Sequence, residues 1–418
     1  MSAIENLLSG VDDTRAWQED LYRDLHSHPE LSHQEHRTSE KIAERLKALG
    51  FTTTSGIGGT GVVGVLENGD GPVVLLRADM DALPVRETTG LDYASDVTST
   101  NDEGDEVPVA HACGHDVHVT CLLGAADIFS HHTADWHGTL IALFQPAEET
   151  GDGARGMVDD NLAGIVPQPD VALAQHVLAF PSGQVGTQPG PVLSAADSVR
   201  VTVYGRGGHG SMPQATIDPV VLGALIAIRL NIVVSREVAP TDTAVLTVGS
   251  LVAGTKSNVI ADHAILQLNL RTYNDATRTR MIAAIERIVK AECEASDSPK
   301  PPEFEYFDRF PLTSNDDDIT AKVADAFAQP FGDRAITLGQ QTASEDFSDI
   351  PNALGVPYTY WGIGGTDTSL YAKAEKAGRV NEDIPVNHSP NFAPVIQPTL
   401  DTGTAAMITA AAAWLIVS

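Results

Sequence analysis

Three short apolar runs set the strongest limit on what this chain can fold into. Residues 73–76, 139–144 and 171–174 are dominated by Val, Leu, Ile and Ala, and each runs straight into reactive side chains. Apolar runs of this length read as strands buried on both faces, as in an open α/β sheet with helices over it. Such sheets build their sites beyond the carboxyl ends of the strands. The first run continues into Arg77-Ala78-Asp79-Met80-Asp81, the second into Gln145-Pro146-Ala147-Glu148-Glu149, and the third into Gln175-His176. Three strands that each deliver acids or imidazole at their exit are not a random surface pattern.

The stretch His111-Ala112-Cys113-Gly114-His115-Asp116-Val117-His118 supplies the matching partners. Histidine and cysteine are common ligands of borderline metal ions. On an extended segment Cys113 and His115 point to the same side, and Gly114 leaves the backbone free to bend. Taken singly, each candidate has an ordinary alternative. The stretch could be a histidine-rich loop, His176 a hydrogen-bonded histidine at a strand end, and His388 a loop histidine beside Pro390. Cys113 could be a small buried residue, a role that suits Cys121 and Cys293 better. Together, Cys113, His115, Glu149, His176 and His388 form a candidate ligand set too large for one tetrahedral ion. Five ligands suit two divalent ions side by side. Cysteine favours zinc, while carboxylate and imidazole also admit manganese or cobalt.

Glu148 and Glu149 invite a division of labour, unless they are simply a solvated acidic turn. Like charges side by side must be solvated, paired or metal-bound. One carboxylate can bind metal while the other takes a proton from an activated water and returns it to a leaving amine, which is the chemistry of amide hydrolysis.

At 418 residues the chain is long enough for two domains. Its formal charge of −30 argues against nucleic-acid or anionic-membrane partners. Three scattered cysteines imply no disulfide framework. The first residues lack a basic region followed by an apolar one, so a cytoplasmic location is expected. The apolar segment 407–417 is about 11 residues long, short of the ~20 that span a bilayer, and reads as a buried terminal helix.

Residues 12–28 read as a helix stopped before Pro29. Ser32 and Glu35 have capping-box spacing and should open a helix that runs to Leu49. Asn68-Gly69-Asp70-Gly71 reads as a turn between the strands 62–66 and 73–76. A polar, acidic excursion over 95–108 leads into the histidine stretch, and a helix over 117–130 follows it. From 192 to 310 the order is strand, helix, strand, strand, helix, strand, the βαββαβ ferredoxin-like unit. Residues 1–191 and 311–418 should then form one discontinuous domain, with a helix near 316–328, a strand at 358–361 and the terminal helix. Within the insert, Gly205-Arg206-Gly207-Gly208-His209-Gly210-Ser211 is a glycine-rich turn without the P-loop lysine, which rejects nucleotide binding. His209 could reach a substrate oxyanion or be a plain surface residue. Arg271, near Asn258 in the same unit, could clamp a carboxylate or form an ordinary salt bridge.

The runs RADMDALP, HACGHDVH, LFQPAEETGDGARGM, QHV, GGHGSMP, KSNVI, SEDF and NHSPNF occur in this order. In them the chain resembles the aminoacylase, hippurate hydrolase and indole-acetyl-amino-acid hydrolase branch of the di-metal amidohydrolase/carboxypeptidase family, from about Arg23 onward. The resemblance implies an α/β di-metal catalytic domain with a central mixed sheet and an inserted lid that commonly mediates homodimerisation. It implies Cys113, His115, Glu149, His176 and His388 as metal ligands, Glu148 as general base, and His209 as an oxyanion-stabilising histidine that in relatives often serves the partner subunit. Asn258 and Arg271 resemble substrate-holding positions, and Asp81 an acid supporting the metal site. The excursion 98–106 is longer and more charged than the family's usual lead-in.

The expected activity is therefore metal-dependent hydrolysis of N-acyl-amino acids, with two zinc or manganese ions, cobalt being admissible. Two rivals remain: a dipeptidase or aminopeptidase that needs a free substrate amine, and a non-catalytic metal- or ligand-binding protein with the same fold. Oxidative or phosphoryl chemistry lacks any cofactor motif.

Overall fold

The computed structural model describes residues 2–416. It divides into two units, one built from the chain up to Val192, Ser314–Gln341 and the chain from Asp346 onward, the other from Leu193–Thr313 and Thr342–Glu345.

The larger unit holds an eight-stranded mixed sheet. In spatial order its strands are Thr52–Ile57, Gly61–Asn68, Gly138–Gln145, Val73–Asp79, Val171–Pro181, Tyr358–Thr366, Val185–Thr187 and Ala335–Thr337. The three apolar runs of the sequence are adjacent, mutually parallel central strands buried on nearly every residue. The mixed α/β sheet is thus as expected, with two corrections. Gly61–Asn68 and Val73–Asp79 are not paired across the Asn68–Gly71 turn, because Gly138–Gln145 lies between them, antiparallel to one and parallel to the other. Val171–Pro181 also runs on past Ala174, so His176 sits inside a strand rather than at its exit.

Helices cover the sheet. Val11–His26, His115–His131 and Ile396–Leu415 pack together with Leu25, Leu122, Phe129, Met407 and Ile408 in one core. Gln18 ties the three by donating to the Thr120 carbonyl at 3.1 Å and to Thr404 Oγ1 at 2.8 Å. The terminal helix is largely buried up to Leu415; Val417, which closed the expected apolar segment, lies outside the described residues. The expected helix over 12–28 is preceded by a second one, Ala3–Ser9.

The Ser32/Glu35 capping box does not form. The helix is His36–Ala48, and Glu30 closes its start by accepting the backbone N–H groups of Arg37 and Thr38 at 2.9 and 2.8 Å. Ser32 and Glu35 are drawn into long-range bonds instead. The excursion 95–108 is less irregular than expected, since Thr98–Thr100 and Glu106–Pro108 pair as a small hairpin.

The smaller unit is an antiparallel sheet in the order Ala244–Ala253, His263–Thr272, Ala195–Tyr204, Glu303–Phe310. Alternating Val199, Val201 and Val203 meet Leu222, Ile226, Met281, Ile285 and Val289 from the helices Pro219–Leu230 and Asp275–Ala295. The single helix expected over 217–233 is two, Pro219–Leu230 and Ile232–Glu237, divided at Asn231.

Candidate metal centre

Gly114 determines how Cys113 and His115 are presented. The segment is not extended: Gly114 has φ +86° and caps the helix His115–His131, and across this left-handed turn both side chains come within reach of Glu149. A Cβ there would lie 2.4 Å from Val177 Cγ1, so only glycine fits.

His115 opens that helix, fully buried. Its Nδ1–H donates to the Asp81 carbonyl at 2.9 Å and to Asp81 Oδ1 at 3.2 Å, which turns Nε2 toward Asp79, Glu148 and Glu149 at 3.7, 3.9 and 3.8 Å. Asp81 Oδ2 in turn accepts from Ser32 Oγ at 2.7 Å and the Glu149 N–H at 3.0 Å. Asp81 therefore orients one candidate ligand by its ring and another by its backbone, the usual arrangement around metal-binding histidine. His176 Nδ1–H donates to the Val177 carbonyl at 2.8 Å, leaving Nε2 facing Cys113 Sγ at 3.4 Å. His388 arrives on a loop at φ +69°, its N–H bonded to the Ala112 carbonyl at 2.7 Å and its Nε2 3.3 Å from Glu149 Oε2.

The structure thus brings all five sequence-derived candidates into one neighbourhood. Ligand atoms of Cys113, Glu149 and His388 lie within 4.8 Å of one another, as do those of His115, Glu148 and Glu149, and those of Asp79, His115, His118 and His176. Glu149 and His115 each belong to two of these groups. Two donor atoms there, His115 Nε2 and Glu149 Oε1, are buried without a hydrogen-bond partner. Buried polar atoms are rarely left so, and here both face the same small space.

Electrostatics point the same way. Burial pushes Glu149 up to about 8, although His115 opposes the shift. Burial works against a charged His115, yet Asp79, Asp81 and Glu149 outweigh it and hold the imidazole at about 10. Burial, with Glu149, Glu148 and Asp79 beside it, pushes the Cys113 thiol well up. Carboxylates gathered in a low-dielectric site call for positive charge, which divalent ions would provide. The donor set fits them.

The other histidines of the stretch are separated by their partners. His118 donates from Nδ1 to Asp79 Oδ1 at 2.5 Å and accepts the Val177 N–H at Nε2 at 2.8 Å, so both nitrogens are engaged. His111 is buried with neither nitrogen hydrogen-bonded, and burial lowers it to about 4. Asp116 accepts from His26 Nδ1 at 2.7 Å, and His26 Nε2 lies 3.2 Å from Glu87.

Three supporting residues escaped the sequence reading. Arg77 is fully buried beneath the site and donates to Gln145 Oε1, Asp79 Oδ2 and Asp346 Oδ1 at 2.8, 2.6 and 3.5 Å. An arginine inside an apolar run was the available signal. Asp346 also accepts from Gln145 Nε2 and the Ala154 N–H, which gives the SEDF run a structural anchor. Glu35 accepts from Thr60 Oγ1 at 2.6 Å and from the N–H of Ala147, a residue at φ +50°, at 2.8 Å. It thereby fixes the turn before Glu148.

In the smaller unit, His209 lies on an exposed two-residue strand paired with Val259–Ile260. Its Nδ1 accepts from the Ser211 N–H at 3.1 Å and lies 2.7 Å from Ser211 Oγ, which leaves Nε2 to carry the ring N–H. The Asn258 carbonyl accepts the Gly210 N–H at 2.9 Å and steadies the same turn. Arg271 Nη1 donates to the Thr342 carbonyl at 3.2 Å and Ser344 Oγ at 2.9 Å, not to a helix-covering carboxylate.

Residues 75–395 match the model of peptidase family M20/M25/M40. Thermostable carboxypeptidase 2 of Saccharolobus solfataricus is 35% identical over 328 residues, covering 77% of this chain and 80% of that one. Hippurate hydrolase of Campylobacter jejuni is 34% identical over 348 residues (82% and 87%). N-acetylcysteine deacetylase of Bacillus subtilis is 32% identical over 354 residues (83% and 88%). Among solved structures, the Bacillus subtilis YXEP protein, described as a dinuclear metal binding peptidase, superposes with TM-score 0.75 at 26% identity, covering 96% of this chain and 98% of that one.

Proposed function

Since the chain belongs to peptidase family M20/M25/M40, we propose that it is an amidohydrolase that cleaves N-acyl-amino acids into a carboxylic acid and a free amino acid. The names of its hippurate hydrolase and N-acetylcysteine deacetylase relatives support the substrate class. The observation that carries the reading is the split of the Glu148–Glu149 pair. Glu149 groups with Cys113 and His388 on one side and with His115 on the other, while Glu148 groups with His115 and Glu149 but not with Cys113.

In this reading Cys113, His115, Glu149, His176 and His388 hold two divalent ions, with zinc favoured by the thiolate and manganese or cobalt admitted by the rest. Such ions, when bound, acidify water and supply positive charge at the site. Glu148 takes a proton from the attacking water as its oxygen adds to the amide carbonyl carbon. When the C–N bond breaks, Glu148 returns that proton to the leaving nitrogen. His209 presents Nε2–H, a suitable donor to an oxyanion. Asn258 and Arg271 hold the substrate, Arg271 through its carboxylate.

A homodimer through the smaller unit belongs to the same proposal. Val220, Val221, Leu225 and Ile228 stand out from the helix Pro219–Leu230, with Ile228 exposed to 70%, and the edge strand Ala244–Ala253 exposes Val245 and Val252 on the sheet face away from that helix. Among the described residues Pro219–Glu237 is the one helical stretch long and apolar enough to cross a membrane by length and composition. Its other face, Leu222, Ile226 and Leu230, is packed in the unit's own core, which favours a second copy over lipid as the cover. Three buried free thiols fit a reducing cytoplasm.

Hydrolysis of acetyl-, benzoyl- and indole-acetyl-amino acids, set against the matching dipeptides, tests the reading. Turnover of the acyl substrates that is lost on chelation and restored by zinc, manganese or cobalt is expected. Activity confined to dipeptides with a free amine would instead establish the peptidase rival, and no metal-dependent turnover at all would sink both.

A further inference from the structure

The loop that brings His388 also brings Asn387, whose half-buried amide reaches two other ligand-bearing segments. Nδ2 lies 3.1 Å from the Cys113 carbonyl, 3.0 Å from the Val177 carbonyl and 3.8 Å from Cys113 Sγ. Val177 is the neighbour of His176, and its carbonyl also accepts His176 Nδ1–H at 2.8 Å. The next N–H along, that of His388, donates to the Ala112 carbonyl at 2.7 Å. A carboxamide nitrogen carries two protons in a fixed plane, so one side chain can serve two carbonyls at once. An aspartate at this position would set oxygen against oxygen at both.

We propose that Asn387 is a positioning residue that fixes Cys113, His176 and His388 relative to one another by clamping the Cys113 and Val177 carbonyls. The inference rests on reading those three residues as metal ligands. The strand Val171–Pro181 is held by its sheet neighbours and Cys113 by the turn at Gly114. The loop bearing His388 lies outside any helix or strand, and the clamp ties it to both. Removing the clamp should therefore loosen the ligand arrangement more than it loosens the fold. Partners of this kind, one step behind the ligands, typically change metal affinity by 10–100-fold.

The test uses the full-length protein, stripped of metal and titrated with Co²⁺, comparing wild type with Asn387→Leu and Asn387→Asp. Three readouts are taken: Co²⁺ affinity, the cobalt–thiolate absorption band and the melting temperature. Both variants are expected to bind Co²⁺ roughly 10–100-fold more weakly, with a diminished or shifted thiolate band and little change in melting of the metal-free chain. Asn387→Ser, which keeps one donor and is small enough to be tolerated if the leucine variant does not fold, should fall between them and wild type. Wild-type affinity and an unaltered band in all variants would overturn the proposal. A wild-type protein with no cobalt–thiolate band would overturn something prior, the assignment of Cys113 as ligand. That outcome is recognisable before any variant is made.

Discussion

The carboxylate–imidazole cluster of the larger unit and the His209 turn of the smaller one are both short motifs in the sequence, yet they are held in opposite ways. In the cluster all the proposed ligands but His388 are buried or nearly so, and several are oriented by a residue distant in the chain: His115 by Asp81, Asp79 by His118, the turn before Glu148 by Glu35. His209 is exposed and oriented by Ser211, two residues away. A buried, cross-braced site transmits damage into stability and metal binding. A locally braced, exposed turn should register damage in turnover alone.

The largest effect is expected at the one cluster residue whose proposed role is purely chemical. Glu148→Gln keeps size and polarity but cannot accept a proton, so turnover should fall by about 10²–10⁴ with metal content unchanged. Near-normal turnover would remove Glu148 as the base. Arg77→Leu attacks the bracing instead. It leaves Asp79 and Asp346 as buried carboxylates without their guanidinium, a change that typically destabilises by about 3–5 kcal/mol. Urea unfolding should show it, and a loss below about 1 kcal/mol would mean that the cluster is not braced from below. On the other side of the comparison, His209→Ala should lower turnover by about 10²–10³, the range for one oxyanion donor. Its metal content and melting should match wild type; a variant that lost either would break the contrast between the two regions.

The same contrast explains what could be read from the sequence. The three apolar runs and the residues at their ends carried the α/β class, and the eight ordered motifs carried the family resemblance and with it the mixed sheet, because burial pattern and motif are local properties of a chain. Bracing is not local. Glu35 looked like half of a capping box because Glu at that spacing usually is, and only the fold brings Ala147 to it. Arg77 stood in plain view inside an apolar run, but its partner Asp346 lies 269 positions away. Likewise the Asn68–Gly71 turn carried a correct local signal, and the placement of Gly138–Gln145 between the two flanking strands came from sheet topology.

The smallest effect concerns a brace at the edge of the cluster. His26 is buried between Asp116 and Glu87, and its ring packs against Tyr22 and Tyr93 at centroid distances of 5.5 and 5.3 Å. Burial alone would lower its proton affinity, but the hydrogen bonds and charges of the two carboxylates outweigh it and hold the imidazole at about 10. An unfolded histidine titrates near ~6.5, so the folded state binds the proton more tightly. The stabilisation is complete below about pH 6.5, shrinks by about 1.4 kcal/mol per pH unit above it, and is gone once the pH passes the folded value. The neighbours do not titrate in that window: Asp116 and Glu87 are held below the ordinary carboxylate range despite their burial, and burial raises Tyr22 and Tyr93. Wild-type urea midpoints should therefore decline between pH 7 and 9 more steeply than those of His26→Gln, which has no proton to lose there. Parallel pH profiles for the two proteins would show that His26 is neutral in the fold and that the Glu87–His26–Asp116 contact is an ordinary hydrogen-bonded pair.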